Sequence, residues 1–353
     1  MFPVNNLSRV EVVLAQDIER QIASELSTVD GRIPTDVFKG ARDSISLLAD
    51  SIESVFIGKR KIVEYFITAL LADGHVLIED VPGTGKTILA KTLAKLVEGV
   101  FQRIQCTPDL LPSDITGTFI YNQKSGEFQL RKGPIFANFV LADEINRATP
   151  RTQSALLECM EEHQVTIETE TFILPDVFMV IATQNPIEFH GTYALPEAQK
   201  DRFMMRLSLG YLDAQVEIEM MNAQQFKHPL ENVIPVIDIK KIRELREIAK
   251  RVYVDEGIKD YIVRIINRTR RDPSIIVGAS PRGSLNFIRG AKALALVKNR
   301  DYVIPHDVKE LAPLILSHRI FVKPQAAAQK GGQDDIISSI LMSIDPISKG
   351  EKK

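Results

Sequence analysis

The run Asp80-Val-Pro-Gly-Thr-Gly-Lys-Thr87 lies between a short apolar stretch and a segment of helical periodicity. Its residue types suit a loop that wraps phosphate. Gly83 and Gly85 let consecutive backbone N–H groups turn toward one anion, and the helix that opens behind them adds the positive end of its dipole. Lys86 is placed to meet β- and γ-phosphates, and Thr87 to offer a hydroxyl to Mg²⁺. Pro82, Thr84 and Ile88 complete the expected nucleotide-binding segment. The pattern G-x-x-x-x-G-K-[ST] is broken at its first glycine, which is Asp80 here. That position is the one furthest from the phosphates.

Further residues could complete the chemistry. Phe139-Val-Leu-Ala-Asp-Glu144 reads as an apolar strand ending in two acids. Asp143 at such a tip can sit beside Thr87 and hold Mg²⁺ through water, while Glu144 can polarise an attacking water as general base. Val180-Ile-Ala-Thr-Gln-Asn185 ends another buried strand in polar side chains. On a neighbouring strand, Asn185 would approach the γ-phosphate and the water; capping of the strand end by Thr183 or Asn185 is the plainer alternative. Arg202 follows that strand, on the far side of the sheet from its own phosphate loop, and could reach a neighbouring copy's site as an arginine finger. Arg282 opens a helix with Ser280 as its N-cap and Pro281 in its first turn, and is expected to point toward the nucleotide. A surface ion pair is the alternative for either arginine. The six histidines show no metal-ligand pairing.

The elements that must position these groups alternate. HVLIED (75–80), FQRIQC (101–106), FVLADE (139–144), VFMVIATQN (177–185) and RLSLG (206–210) read as strands, and KTILAKTLAKLVEG (86–99) as a helix. The pattern predicts an α/β fold, a parallel sheet with helices on both faces. Residues 118–131 and 164–175 read as hairpins inserted into it. After residue 212 strands vanish, and 240–252, 258–269, 284–298 and 307–320 read as helices, with Pro313 a candidate kink in the last. The division expected is a helical extension over 1–50, an α/β core over 51–212, a linker over 213–235, an all-helical domain over 236–346 and a solvated tail over 347–353. In the extension, Val10, Val13, Leu14, Ile18 and Ile22 recur at helical spacing, as do Ile45, Leu47, Leu48 and Ile52.

With 44 Lys+Arg against 46 Asp+Glu, the formal net charge of −2 gives no basic excess to attract nucleic acid or an anionic membrane. No stretch approaches the ~20 apolar residues of a membrane span. Cys106 and Cys159 make neither a metal site nor a disulfide framework, so a reducing, cytoplasmic setting is expected.

Taken together, IEDVPGTGKT, LADEINRATPRTQSALLECMEE, IATQNPIEFHGTYALPEAQKDRFMMRL and GASPRGSLNFIRGAKALAL resemble the AAA+ ATPases, and within them the MoxR family. The resemblance covers roughly residues 50–345. It implies a P-loop core followed by a helical lid, with ATP and Mg²⁺ as cofactors. It makes Gly83 to Thr87 the phosphate loop, Asp143 the metal-associated acid, Glu144 the catalytic acid, Asn185 the first sensor, Arg202 the arginine finger and Arg282 the second sensor. Phe56, Ile57 and Gly58 resemble the segment that packs on adenine, and the two hairpins resemble the helix-2 and pre-sensor inserts of this clade. The family's members form nucleotide-dependent rings, typically hexamers, and remodel or mature protein complexes, often with partners carrying von Willebrand factor A domains. Two other readings compete. A nucleic-acid motor or transcription activator of the superfamily would need a basic groove or the loop GAFTGA, where this chain has ITGTFIYN. A magnesium-chelatase-type ATPase subunit is a close structural relative.

Overall fold

The computed structural model describes residues 33–185, 192–224 and 229–346. The periodic run from Val10 to Ile22 and the tail from 347 lie outside the described residues. Helix α1 (Thr35–Glu53) buries Ala41, Ile45, Leu48, Ala49 and Ile52 along one stripe. Leu47, expected on that stripe, is 49% exposed. The helix crosses the boundary expected at residue 50 and packs on α2 (Arg60–Leu71), so this part of the extension belongs to the main core.

The α/β core then follows. Strand β1 (Val76–Glu79) leads through the glycine loop into α3 (Lys86–Leu96), and β2 (Phe101–Gln105) into a short α4 (Pro112–Thr116). A first hairpin, β3 (Gly117–Asn122) and β4 (Glu127–Lys132), precedes β5 (Phe139–Asp143) and α5 (Pro150–Glu162). A second, β6 (Gln164–Ile167) and β7 (Glu170–Ile173), precedes β8 (Met179–Gln184), the turn of helix α6 (Glu197–Lys200) and β9 (Met205–Leu207). Five of these strands form one parallel sheet in the order β2-β5-β8-β1-β9.

The two-residue repeat of a strand explains why this sheet is buried on both faces. Val76, Ile78, Phe139, Leu141, Met179 and Ile181 face a core shared with α1, α2 and α3. Leu77, Val140, Ala142, Val180 and Ala182 face the opposite core, which α5 closes with Leu156, Leu157 and Met160. Because the strands are parallel, their C-terminal tips share one edge of the sheet, where ligands of open α/β sheets bind.

Residues 213–235, expected as linker, contain helix α7 (Ala214–Gln224). The lid follows with α8 (Ile239–Arg251), α9 (Glu256–Arg271), α10 (Pro281–Val297), α11 (Pro305–Leu316), α12 (Pro324–Lys330) and α13 (Gln333–Met342). Pro313 is accommodated inside α11. The lid is not wholly helical: β10 (Ile275–Val277) and β11 (Phe321–Val322) pair antiparallel. Helix α10 packs on α2, which joins lid and core into one hydrophobic cluster.

Candidate functional site

The glycine loop turns as its composition requires. Gly83 and Gly85 have φ of +86° and +89°, in the left-handed region that side chains disfavour. A Cβ on Gly85 would also come within 2.9 Å of the Phe56 ring, so the segment expected to pack on adenine lies against the loop. Gly58, with φ +77°, leaves no room for a Cβ beside Val216 of α7. Lys86 opens α3, and its Nζ donates to the Asp80 carbonyl at 2.6 Å. Burial pushes its pKa below the ordinary lysine value, against the opposing pull of Asp80, Asp143 and Glu144. Those charges place the loop and the two acids within one electrostatic neighbourhood.

Asp80, the departure from the glycine pattern, is a buried structural carboxylate. One oxygen accepts from Val81 N at 2.9 Å, and the other from Leu209 N and Gly210 N, both at 2.7 Å. Lys59 donates to the carbonyls of the same two residues, at 2.5 Å to Gly210. A glycine here would remove the anchor between the loop and the chain leaving β9.

Asp143 and Glu144 stand at the tip of β5, between β2 and β8. The Thr183 hydroxyl donates to Asp143 Oδ1 at 2.6 Å and accepts from Glu144 N–H at 2.8 Å. It therefore fixes both acids at once. Glu144 itself has φ +57°, a conformation that costs a non-glycine residue free energy and is held by its surroundings. Its Oε2 accepts from Arg147 at 3.0 Å and Gln105 at 3.3 Å, while Arg103 donates to Asp143 Oδ2 at 2.6 Å. Thr87 and Asp143 are hard oxygen donors, one at the start of α3 and one at a strand tip of the same sheet edge. That pair suits Mg²⁺, which takes few protein ligands and completes its shell with phosphate oxygens and water.

Asn185 is buried directly after β8, and the Asp80 N–H donates to the neighbouring Gln184 carbonyl at 3.2 Å. The tip that carries Asn185 thus lies between the acids and the glycine loop. The residues after it, 186–191, are outside the described set.

Arg202 and Arg282 are placed elsewhere. Arg202 precedes β9 and so sits at the N-terminal edge of the sheet. Its Nε pairs with Glu161 Oε2 at 3.0 Å. Arg282 pairs with the other oxygen of Glu161, and both arginines line a cleft with Gly74 and His75, just before β1. The expectation that Arg282 points toward its own nucleotide is therefore corrected. The lid docks on α2 and carries Arg282 to the edge of the sheet opposite the Lys86 loop.

Several neighbours escaped sequence reasoning: Arg103, Gln105, Arg147 and Glu161, with Thr183 read only as a cap. Gln105 pairs in register with Asp143, which only the strand order reveals. The Thr183 bridge yields a prediction. Thr183→Val keeps the shape of this buried side chain but loses both hydrogen bonds. Turnover should fall on the order of tenfold, since each bond is worth about 1 kcal/mol or more, with nucleotide affinity little changed. Steady-state phosphate release and equilibrium nucleotide titration separate the two; wild-type turnover would show that the bridge positions nothing.

The family of ATPases associated with various cellular activities (AAA) matches residues 75–205, and the AAA lid domain matches 267–340. Over 302 residues the chain is 43% identical to the chaperone MoxR1 of Mycobacterium tuberculosis, covering 83% of this chain and 80% of that one. It is 49% identical over 295 residues to the uncharacterised protein YeaC of Bacillus subtilis, covering 84% and 92%. A crystal structure of a candidate ATPase from Cytophaga hutchinsonii superposes with a TM-score of 0.81 at 42% identity, covering 88% of this chain and 97% of that one. With a glycine loop, paired acids and a lid in this order, and relatives this similar over most of their length, the chain belongs to the MoxR family of AAA+ ATPases.

Proposed function

We propose that the protein hydrolyses ATP with Mg²⁺ and couples the cycle to remodelling or maturation of protein complexes, as a homo-oligomeric ring. One observation carries the hydrolytic reading: Lys86, Asp143, Glu144 and Asn185 gather at a single edge of the sheet around a loop shaped for phosphate. Gly83 to Thr87, flanked by Pro82 and Ile88, hold the phosphate chain, and Phe56, Ile57 and Gly58 pack near the base. Lys86 exchanges the Asp80 carbonyl for phosphate oxygens. Thr87 and Asp143 hold the metal, which neutralises charge on the phosphates when bound. Glu144 takes the proton of the attacking water, and Asn185 orients that water.

The ring reading rests on Arg202 and Arg282. Both lie at the edge opposite their own loop, where a neighbouring copy could present its nucleotide. A hexamer is the assembly we propose, with a von Willebrand factor A domain protein as partner and the cytoplasm as location. Among the described residues no helix is long and apolar enough to cross a membrane.

Lys86→Ala tests the nucleotide site. Deleting a point charge that meets phosphate loses charge-assisted bonds worth about 1.5–3 kcal/mol each. ATP affinity should fall roughly ten- to a hundredfold in an equilibrium titration with Mg²⁺. Unchanged affinity would remove the loop from its assigned role.

A further inference from the structure

Glu161 lies near the C-terminal end of α5, at the edge of the sheet away from the phosphate loop. Its two oxygens are taken by different guanidiniums, Oε2 by Arg202 and Oε1 by Arg282. One arginine comes from the core and the other from the lid. They share a cleft of about 240 Å³ with Arg289, two helical turns beyond Arg282 on α10. The other acid lining it, Asp73, is paired with Arg246 at 2.6 Å. Glu161 is therefore the carboxylate that balances the arginines of this cleft.

The backbones behind the two arginines are tied together as well. Asp201, beside Arg202, accepts from Ser280 Oγ at 3.0 Å and from Arg319 Nε at 2.8 Å. Ser280 is the residue from which the Arg282 helix starts. Arg319 also donates to the Met204 carbonyl at 3.1 Å, and to that of Phe203. With both backbones anchored, what remains free is the direction of two long side chains. Without an anion between them, adjacent guanidiniums repel and each gains rotamer entropy by turning away.

We propose that Glu161 is a positioning residue. It holds Arg202 and Arg282 as one two-arginine unit, standing in for phosphate until the neighbouring copy's ATP takes its place. The inference rests on the reading in which these arginines act across a subunit boundary. A carboxylate resembles a phosphate edge in charge and in the fork geometry that arginine prefers. The pair then meets an incoming γ-phosphate already aimed, and a displacement of ~1 Å at such a group is enough to cost on the order of 10²-fold in rate.

The test uses the full chain and Glu161→Gln, which preserves side-chain shape at a half-buried position. We expect kcat to fall on the order of 10- to 100-fold with KM for ATP unchanged, because the variant's own phosphate loop is intact. Adding Glu161→Gln to the Arg202→Ala/Arg282→Ala double variant should cause no further loss. Mixed assemblies, verified with differently tagged copies, then locate the lesion. Combined with Glu144→Gln copies, Glu161→Gln copies should recover hydrolysis, as Arg202→Ala copies should, because the acid of one and the arginines of the other meet at some interfaces. Wild-type kcat in Glu161→Gln alone overturns the inference. So does recovery by Arg202→Ala but not by Glu161→Gln, which would put the lesion in the variant's own site. Recovery by neither overturns the trans reading and this inference with it.

Discussion

Glu144→Gln should bind ATP and fail to turn it over. The exchange is nearly isosteric, so the hydrogen bonds from Gln105 and Arg147 can still reach an oxygen, and the backbone N–H bond to Thr183 is untouched. The phosphate loop, Lys86 and Thr87 belong to other elements and keep their geometry. An amide, however, cannot accept the proton of the attacking water. General-base removal costs about 10²–10⁴-fold. Equilibrium titration with Mg–ATP should give an affinity close to wild type, alongside phosphate release at background. Hydrolysis near the wild-type rate would take the general-base role away from Glu144.

Arg202→Ala should be at least as damaging, for a different reason. A guanidinium placed on the γ-phosphate stabilises charge that develops in the transition state, and such fingers are worth about 10³–10⁵ in rate. The residue cannot serve its own site, because it precedes β9 while the loop follows β1, and these parallel neighbours put the two at opposite edges of the sheet. Its pairing with Glu161 admits a second reading, a structural salt bridge between half-buried partners. Such pairs contribute ~1 kcal/mol or less, and their loss would leave kcat intact. Measured turnover therefore separates the two readings by orders of magnitude. Activity per subunit should also rise with protein concentration as interfaces form.

The candidate groups that are contiguous in the chain were legible in it. The glycine loop, the acids at the end of β5 and the polar end of β8 each occupy a few consecutive residues, and their strand or helix context could be read from apolar runs. Both inserted hairpins and the four long lid helices are also visible as periodicity. What stayed hidden is what the fold assembles from distant segments. Thr183 serves Asp143 and Glu144 from an adjacent strand, Gln105 reaches Glu144 through the register of β2 with β5, and Glu161 collects arginines from core and lid. The direction of Arg282 depends on how the lid docks on α2, which no local pattern encodes. The strands β10 and β11 are three and two residues long, too short for a repeat to declare itself. Helix α7 is only weakly amphipathic and so passed for linker. Asp80 looked like a defect in the loop, and its use as an anchor for Leu209 and Gly210 appears only when β9 lies beside β1.

The central claim is that the hydrolytic site is completed by a second copy of the chain. Mixing purified Arg202→Ala and Glu144→Gln copies, each inactive alone, tests it most directly. In a mixed ring some interfaces join the intact Glu144 of one copy to the intact Arg202 of its neighbour, and neither pure variant contains such an interface. Phosphate release should reappear on mixing, peak at intermediate ratios and vanish toward either pure variant. Mixed assemblies that form and stay inactive at every ratio would contradict the account.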